Sequence, residues 1–212
     1  EETQPAGYTS TTLDSASGSL PPYVSGGADF GEKAVGTVAG VSFNDLNGDG
    51  VQQAIEPGLS VVTVELVNPV TLAVVATTTT GPDGAYQFTS VPPGSYTVHE
   101  VQPAGYTSTT PDDVPVSVLV GGAAHANFGN QALGAITGVV FFDMDANGVQ
   151  GVGEFGLSGV TVQLLAPGPD GVLGTGDDVV LKTTTTLPDG AYQFLGLQPG
   201  PYGVKETDPL GF

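Results

Sequence analysis

The stretch GVSFNDLNGDGVQQAIEPGLSVVTVEL, residues 40–66, recurs as GVVFFDMDANGVQGVGEFGLSGVTVQL at residues 138–164. Residues 62–66 (VTVEL) and 160–164 (VTVQL) alternate apolar with polar side chains. This period of two is typical of a β-strand with one buried face. An acidic, glycine-containing loop precedes the strand in each copy, so the sequence predicts a strand, a loop and a second strand twice over.

The two copies belong to a longer internal repeat. ETQPAGYTSTT at residues 2–12 returns 98 residues later as EVQPAGYTSTT at 100–110. TTTTGPDGAYQF (77–88) likewise matches TTTTLPDGAYQF (183–194), after eight extra residues around PGPDGVLGTGDD (167–178) in the second copy. A repeat of this length indicates tandem units of one fold.

This alignment predicts the domain organisation. We expect residues 1–33 to be the C-terminal strands of a preceding repeat, 34–131 a complete repeat, and 132–212 a repeat lacking its last strands. The chain is therefore expected to be part of a longer array; the alternative is that the tail of one molecule completes the truncated end of the next. About seven short strands per repeat, separated by turns every ~8–12 residues, predict an all-β fold of β-sandwich domains.

The charge of the chain excludes some partners. It carries 22 Asp and Glu residues against three lysines and no arginine, a net charge of −19. Phosphate recognition needs clustered Lys or Arg, so we expect no nucleic-acid binding. No apolar run is long enough to span a bilayer, so we expect no membrane insertion either. Cations are the natural partners of such a chain, and the absence of cysteine leaves oxygen atoms as their ligands.

The loop at residues 45–56, DLNGDGVQQAIE, fits the calcium-loop pattern D-x-[DN]-x-[DN]-G-x5-E, and DMDANGVQGVGE at 143–154 fits it again. The pattern supplies side-chain oxygens at positions 1, 3, 5 and 12 and a backbone carbonyl at position 7. Asp, Asn and Gly also form ordinary turns, but two full matches, each with the distal Glu, favour Ca²⁺. The predicted ligands are Asp45, Asn47, Asp49, Val51 and Glu56 in the first loop, and Asp143, Asp145, Asn147, Val149 and Glu154 in the second.

A further calcium site is predicted in the inserted hairpin GPDGVLGTGDD. Asp170, Asp177 and Asp178 would repel one another without a cation, and the surrounding glycines let backbone carbonyls converge. Acidic hairpin tips are also common as solvated turns, and this motif occurs only once. Both interpretations stay open.

Catalysis finds no candidate residues. His99 and His125 are the only histidines and neither recurs in the other copy. Without cysteine or a serine–histidine–carboxylate arrangement, the sequence offers no nucleophile with its base. Glu100 and Glu206 instead fall on the predicted apolar face of a strand, where a buried carboxylate needs a partner.

In their order, these motifs resemble the B-type domains of serine-aspartate-repeat adhesins, which are related to collagen-adhesin B-type domains. The strand-and-loop stretches, PDGAYQF, PGSYTVHEVQPAGY (residues 93–106) and the GPDGVLGTGDD hairpin carry the resemblance. It implies tandem prealbumin-like or reverse-immunoglobulin sandwiches that bind calcium and serve as rigid stalks or spacers on bacterial surfaces. It also carries over the side-chain ligands of both loops.

The chain departs from this resemblance in one respect. Relatives that form a lysine–asparagine isopeptide bond carry a lysine in the first strand, where this chain has residues 41–44 (VSFN) and 139–142 (VVFF). We therefore do not expect that bond, and we expect bound calcium to stabilise the domain in its place.

Three functional hypotheses follow. The leading one is a non-catalytic, calcium-stabilised structural repeat of an extracellular bacterial surface or secreted protein, stacked end to end with neighbouring repeats or copies of itself as a stalk, spacer or filament subunit. The second is an adhesin region that binds a host or matrix ligand. The third is a set of accessory domains in a large secreted enzyme.

Overall fold

A computed structural model of the chain describes residues 3–19 and 27–207. The chain divides into two compact units, Glu1–Gln131 and Ala132–Phe212. The regular secondary structure of the described residues consists of strands alone, which confirms the all-β prediction. The structure shows no helix that is long and apolar enough to cross a membrane.

The first unit begins with a separate strand pair, β1 (Tyr8–Ser10) and β2 (Glu32–Ala34), which run antiparallel. Its remaining strands are β3 (Gly36–Asn44), β4 (Thr63–Val67), β5 (Val74–Thr79), β6 (Ala85–Val91), β7 (Gly94–Glu100), β8 (Tyr106–Ser108), β9 (Asp113–Val118), β10 (Ala123–His125) and β11 (Phe128–Ala132). These nine exceed the expected seven because β8 and β10 are three-residue strands that the alternation pattern does not reveal.

Strands β3 to β11 of the first unit form two sheets. One has the order β5-β4-β7-β9, with antiparallel neighbours throughout. The other is built on β3, which pairs antiparallel with β6 and in parallel with β10 and β11; β8 continues the sheet beyond β11. The parallel pairing joins the first and last long strands of the repeat, which are far apart in sequence.

A single hydrophobic core lies between these sheets. Leu66 and Val98 come from the first sheet and are almost fully buried. Phe88 and Phe128 come from the second sheet and pack into the same cluster. Because one core is shared by the inner faces of two sheets, the unit is a β-sandwich, as predicted.

The second unit has the same strands as the first half of the repeat. Its strands are β12 (Gly134–Val139), β13 (Thr161–Ala166), β14 (Val179–Thr185), β15 (Ala191–Leu197) and β16 (Gly203–Glu206). β12 pairs with β15, and a second sheet has the order β14-β13-β16. Val162, Leu164 and Phe194 form the centre of its core.

The prediction of an apolar environment for Glu100 and Glu206 is right for one copy and wrong for the other. Glu100 is only 1% exposed, whereas Glu206 is exposed. In the first unit β9 lies beside β7, and β11 is a strand of the opposite sheet, paired with β3. No equivalent strand covers β16 among the described residues of the second unit, so Glu206 meets solvent.

Candidate metal site

The first predicted loop follows β3 and opens on Asp45, whose side chain organises the turn. Its Oδ1 accepts hydrogen bonds from the amides of Gly48 at 2.7 Å and Asp49 at 3.2 Å. Its Oδ2 accepts one from the amide of Gly50 at 2.7 Å. Gly50 has φ of +76°, the left-handed conformation that the sixth position of the calcium-loop pattern requires.

Glu56 closes the loop by bonding to both of its halves. Its Oε1 accepts the amide of Leu46 at 2.9 Å, and its Oε2 accepts the amide of Gln53 at 2.9 Å. Asp45 is fully buried and Glu56 is 5% exposed. Two carboxylates therefore lie in a poorly hydrated place with backbone amides as partners, and both oxygens of Glu56 keep a lone pair for a cation.

The middle of the loop supplies two more oxygen-bearing side chains. Asn47 accepts the amide of Asp49 at 3.0 Å, and Asp49 accepts the amide of Val51 at 2.8 Å. The Gln53 amide group donates to both oxygens of Asp49, at 3.0 and 2.8 Å. The loop thus folds around its own acidic and amide side chains.

The second loop repeats this arrangement. Asp143 accepts the amides of Asn147 at 3.2 Å and Gly148 at 2.8 Å, as Asp45 accepts its equivalents. Glu154 accepts the amide of Met144 at 2.8 Å, the counterpart of the bond between Leu46 and Glu56. The side chain at position 5 has the same role in both loops, since Asn147 accepts a hydrogen bond from the amide of Val149 at 2.6 Å.

Three carboxylates of the second loop converge. Ligand oxygens of Asp143, Asp145 and Glu154 all lie within 4.8 Å of one another. Hard oxygen ligands at this spacing suit a divalent cation such as Ca²⁺. The first loop has one carboxylate fewer at these positions, because Asn47 takes the place of Asp145.

Distant residues bury the first loop. The Asp45 amide donates to the Asn130 carbonyl at 2.8 Å, and the Gln131 side chain donates to the Leu46 carbonyl at 3.3 Å. A methyl group of Thr110 lies near the Cα of Gly50, so a side chain there would contact it. In the second unit Asp143 and Glu154 are half-buried and Asp145 is exposed.

The hydrogen bonds set the protonation of the position 1 carboxylates. Desolvation raises the pKa of Asp45, but the nearby Thr109 hydroxyl and the amides of residues 48–50 outweigh it and hold the pKa below its ordinary value. The Gly148 amide is the main cause of the lowered pKa of Asp143. Both groups are therefore anionic at neutral pH, as a metal ligand must be.

In the inserted hairpin the three predicted ligands, Asp170, Asp177 and Asp178, accept hydrogen bonds from within the hairpin and do not form a cluster of three converging carboxylates among the described residues. Asp177 accepts the amide of Asp170 at 3.2 Å and the Thr175 hydroxyl at 2.5 Å, and the latter bond is the main cause of its lowered pKa. Asp178 accepts the amide of Gly174 at 2.8 Å through Oδ2. Its Oδ1 is buried without a hydrogen-bond partner within the described residues.

Sequence reasoning missed the supporting residues of the loops. Gln52 donates to the Glu56 carbonyl and Gln150 to the Glu154 carbonyl, each at 3.3 Å. Their recurrence at position 8 of both loops was a signal that could have identified them. Gln131 carried no comparable signal, because its contact with the loop spans 85 residues.

A sequence model of the SdrD B-like domain matches residues 36–116 and 134–212. The chain belongs to the SdrD B-like domain family. Membership places it among non-catalytic structural domains of bacterial surface proteins.

Relatives of known name support the membership. Over its whole length, the chain is 34% identical to serine-aspartate repeat-containing protein D of Staphylococcus aureus strain Newman, and it spans 17% of that protein. It is 31% identical to serine-aspartate repeat-containing protein E of strain USA300, with 80% of this chain and 15% of the relative aligned. The chain thus corresponds to a small part of each relative.

Two solved structures show a weaker likeness. The Streptococcal ancillary pilin is 22% identical, covering 84% of this chain and 55% of the pilin, with a TM-score of 0.43. Shaft pilin SpaA from Lactobacillus rhamnosus GG is 16% identical, covering 84% of this chain and 89% of the pilin, with a TM-score of 0.40.

Proposed function

We propose that the chain is a calcium-stabilised structural repeat of an extracellular bacterial surface protein, acting as a stalk, spacer or filament subunit. The observation that carries this proposal is the repeated loop. In both units a position 1 aspartate and a position 12 glutamate gather the same backbone amides, and acidic or amide oxygens fill positions 3 and 5.

The proposed ligands are those of the calcium-loop pattern. Side-chain oxygens come from Asp45, Asn47, Asp49 and Glu56, and from Asp143, Asp145, Asn147 and Glu154, with the carbonyls of Val51 and Val149 at position 7. A bound Ca²⁺ offsets the mutual repulsion of these carboxylates and holds the loop between the two strands that flank it. Asp170, Asp177 and Asp178 are proposed as a third site.

The proposed organisation is a linear array. Residues 34–131 form one repeat, 132–212 belong to the next, and 1–33 are closing strands of a preceding one; residues 1–2, 20–26 and 208–212 lie outside the described part. β1 and β2 support this proposal because they repeat the bonds of β8 and β11. The Thr11 amide donates to the Gly31 carbonyl at 2.7 Å, as Thr109 does to Gly129 at 2.8 Å.

In such an array, neighbouring repeats are the principal partners of each unit. Each sandwich needs its own core, so the array resists extension through many small units rather than through one large domain. Calcium adds to this resistance by binding the folded state and not the unfolded one.

Thermal unfolding in calcium and in excess chelator tests the proposal. We expect calcium to raise the midpoint, magnesium to raise it less, and the double variant Asp45→Ala, Asp143→Ala to lose the calcium response. Native mass spectrometry counts the bound ions, and Asp177→Ala with Asp178→Ala should remove one. An unchanged midpoint in the wild-type protein would show that both loops are acidic turns only.

A further inference from the structure

A buried polar cluster in the first unit lies beside the first metal loop but contains none of its proposed ligands. It joins Ser42 on β3, Glu100 on β7 and Asn130 on β11, and each of the three side chains is at most 1% exposed. The Asn130 amide nitrogen donates to Glu100 Oε2 at 2.8 Å and to Ser42 Oγ at 3.2 Å. The Gln102 side chain donates to Asn130 Oδ1 at 3.0 Å.

One atom of the cluster has no hydrogen-bond partner. Glu100 Oε1 is buried and accepts no hydrogen bond within the described residues. Desolvation is the main cause of a raised pKa for Glu100. An unpaired oxygen on a buried carboxyl is costly and calls for an explanation.

The cluster contains the parts of an acyl-transfer site. Ser42 is a hydroxyl nucleophile, the Asn130 side chain is a carboxamide electrophile, and Glu100 can accept and return a proton. Gln102 donates to the carbonyl oxygen, where negative charge develops when a nucleophile attacks. The hydroxyl oxygen lies within hydrogen-bond distance of the nitrogen that would leave, and water is excluded.

We propose that Ser42 and Asn130 become joined by an intramolecular ester bond. The Ser42 Oγ attacks Cγ of Asn130, and its proton passes to Glu100. The Cγ–Nδ2 bond then breaks, and Nδ2 takes that proton and leaves as ammonia. One O–C bond forms and one C–N bond breaks, no oxidant or reductant is needed, and Glu100 ends in its starting state.

Burial holds the reacting groups together and protects the ester that they form. The fold holds nucleophile and electrophile together, which replaces an intermolecular encounter by an intramolecular one. Exclusion of water from the completed core protects the ester from hydrolysis, since none of the three side chains reaches solvent. The reaction therefore follows folding and does not precede it.

The second unit is an internal control. Val140 stands at the position equivalent to Ser42 and has no nucleophilic atom. The equivalent of Glu100 is Glu206, which is exposed. The ester is therefore specific to the first unit among the described residues, and the loss of one ammonia is expected, not two.

The bond would join β3 to β11, which already pair in parallel between residues 42–44 and 128–130. These are the strands by which the chain enters and leaves the repeat, so tension along an array would pass through the link without opening the sandwich. This purpose rests on the proposed structural function, whereas the bond itself stands independently of calcium.

Intact-mass spectrometry of the folded full chain tests the proposal. We expect a mass about 17 Da below that of the sequence, the mass of one ammonia, with a peptide map that links the segments containing Ser42 and Asn130. Alkaline hydroxylamine should open the link. The full sequence mass in the folded wild-type protein would overturn the proposal without any variant.

Two variants separate the ester from other losses of ammonia. Ser42→Ala and Glu100→Gln should both restore the full mass, with circular dichroism confirming that each is folded. A deficit that persists in folded Ser42→Ala would come from a cyclic imide, for which Asn47 and Asn147 are the first candidates because glycine follows each of them, and would overturn the ester. Calcium removal should leave the mass unchanged, so failure of the calcium proposal is distinguishable from failure of this one.

Discussion

The two acidic loops have the same internal bonds but different surroundings. In the first, Asp45 is fully buried beneath Asn130 and Gln131, which follow it by more than 80 residues. In the second, Asp143 is half-buried, and no such cover exists among the described residues of its unit. Loop geometry is therefore encoded locally, while burial of the loop is supplied by the closing strands of the repeat.

The difference predicts unequal roles for the two aspartates. Amides that donate to a buried carboxylate have no water to replace it, whereas amides that donate to an accessible carboxylate can turn to water. The same substitution should therefore affect the two units to different extents, even without an ion.

The largest effect is expected for Asp45→Ala in the presence of chelator. It leaves the amides of Gly48 and Gly50 without their acceptor and removes one of the two acceptors of the Asp49 amide, so we expect a loss of about 3 kcal/mol of unfolding free energy in the first unit. Asp143→Ala should destabilise the second unit much less, because water can replace the accessible carboxylate as acceptor. Hydrogen exchange of β4 and β13 amides reports the two units separately.

Asp45→Asn is the control for this comparison, because it keeps an acceptor oxygen in the same place. It should recover much of the loss. Equal destabilisation by Asp45→Ala and Asp143→Ala would show that the covering strands do not matter to the loop.

The sequence predicted the local features well because they repeat. The all-β fold, the strands at residues 62–66 and 160–164 and the form of both loops all follow from short-range patterns. The parallel pairing of β3 with β11 and the cluster around Glu100 do not, because they join segments far apart in the chain. The exposure of Glu206 was missed for the same reason: alternation marks a face but does not say what covers it.

Two equivalent tyrosines sharpen the comparison. The Tyr86 hydroxyl donates to the buried Ala126 carbonyl at 2.6 Å, whereas the Tyr192 hydroxyl has no hydrogen-bond partner within the described residues. We expect Tyr86→Phe to lower the stability of the first unit by about 1.5 kcal/mol and Tyr192→Phe to leave the second nearly unchanged. Urea unfolding followed by hydrogen exchange measures both effects. Equal effects would contradict the conclusion that closing strands cover the first unit but not the second.

The buried Glu100 should make the first unit sensitive to pH. Because its pKa is raised in the folded state, the folded unit binds a proton that the unfolded chain releases, so stability falls as pH rises from the ordinary glutamate value to the folded pKa. The free energy of unfolding should change by at most about 1.4 kcal/mol per pH unit. Glu100→Gln should reduce this fall in stability with pH, while Glu206→Gln should not change the stability of the second unit. An unchanged slope in Glu100→Gln would show that another group causes the pH dependence.

The smallest effect concerns a turn that the two units share but build with different residues. Val61 has φ of +62° and Gly159 has φ of +74°, and each donates its amide at 3.0 Å, to Thr80 and Thr186 respectively. A β-branched side chain is strained in this conformation, and Val61 is 77% exposed, so it gains little from packing. Val61→Gly should therefore stabilise the first unit by about 0.5 kcal/mol, after the entropy of glycine is subtracted, and Gly159→Val should destabilise the second by a similar amount. Thermal midpoints of the two variants decide the matter: opposite signs mean that the turn is the same structural element in both units, whereas a loss in both would mean that Val61 makes contacts in the first unit that its exposure does not suggest.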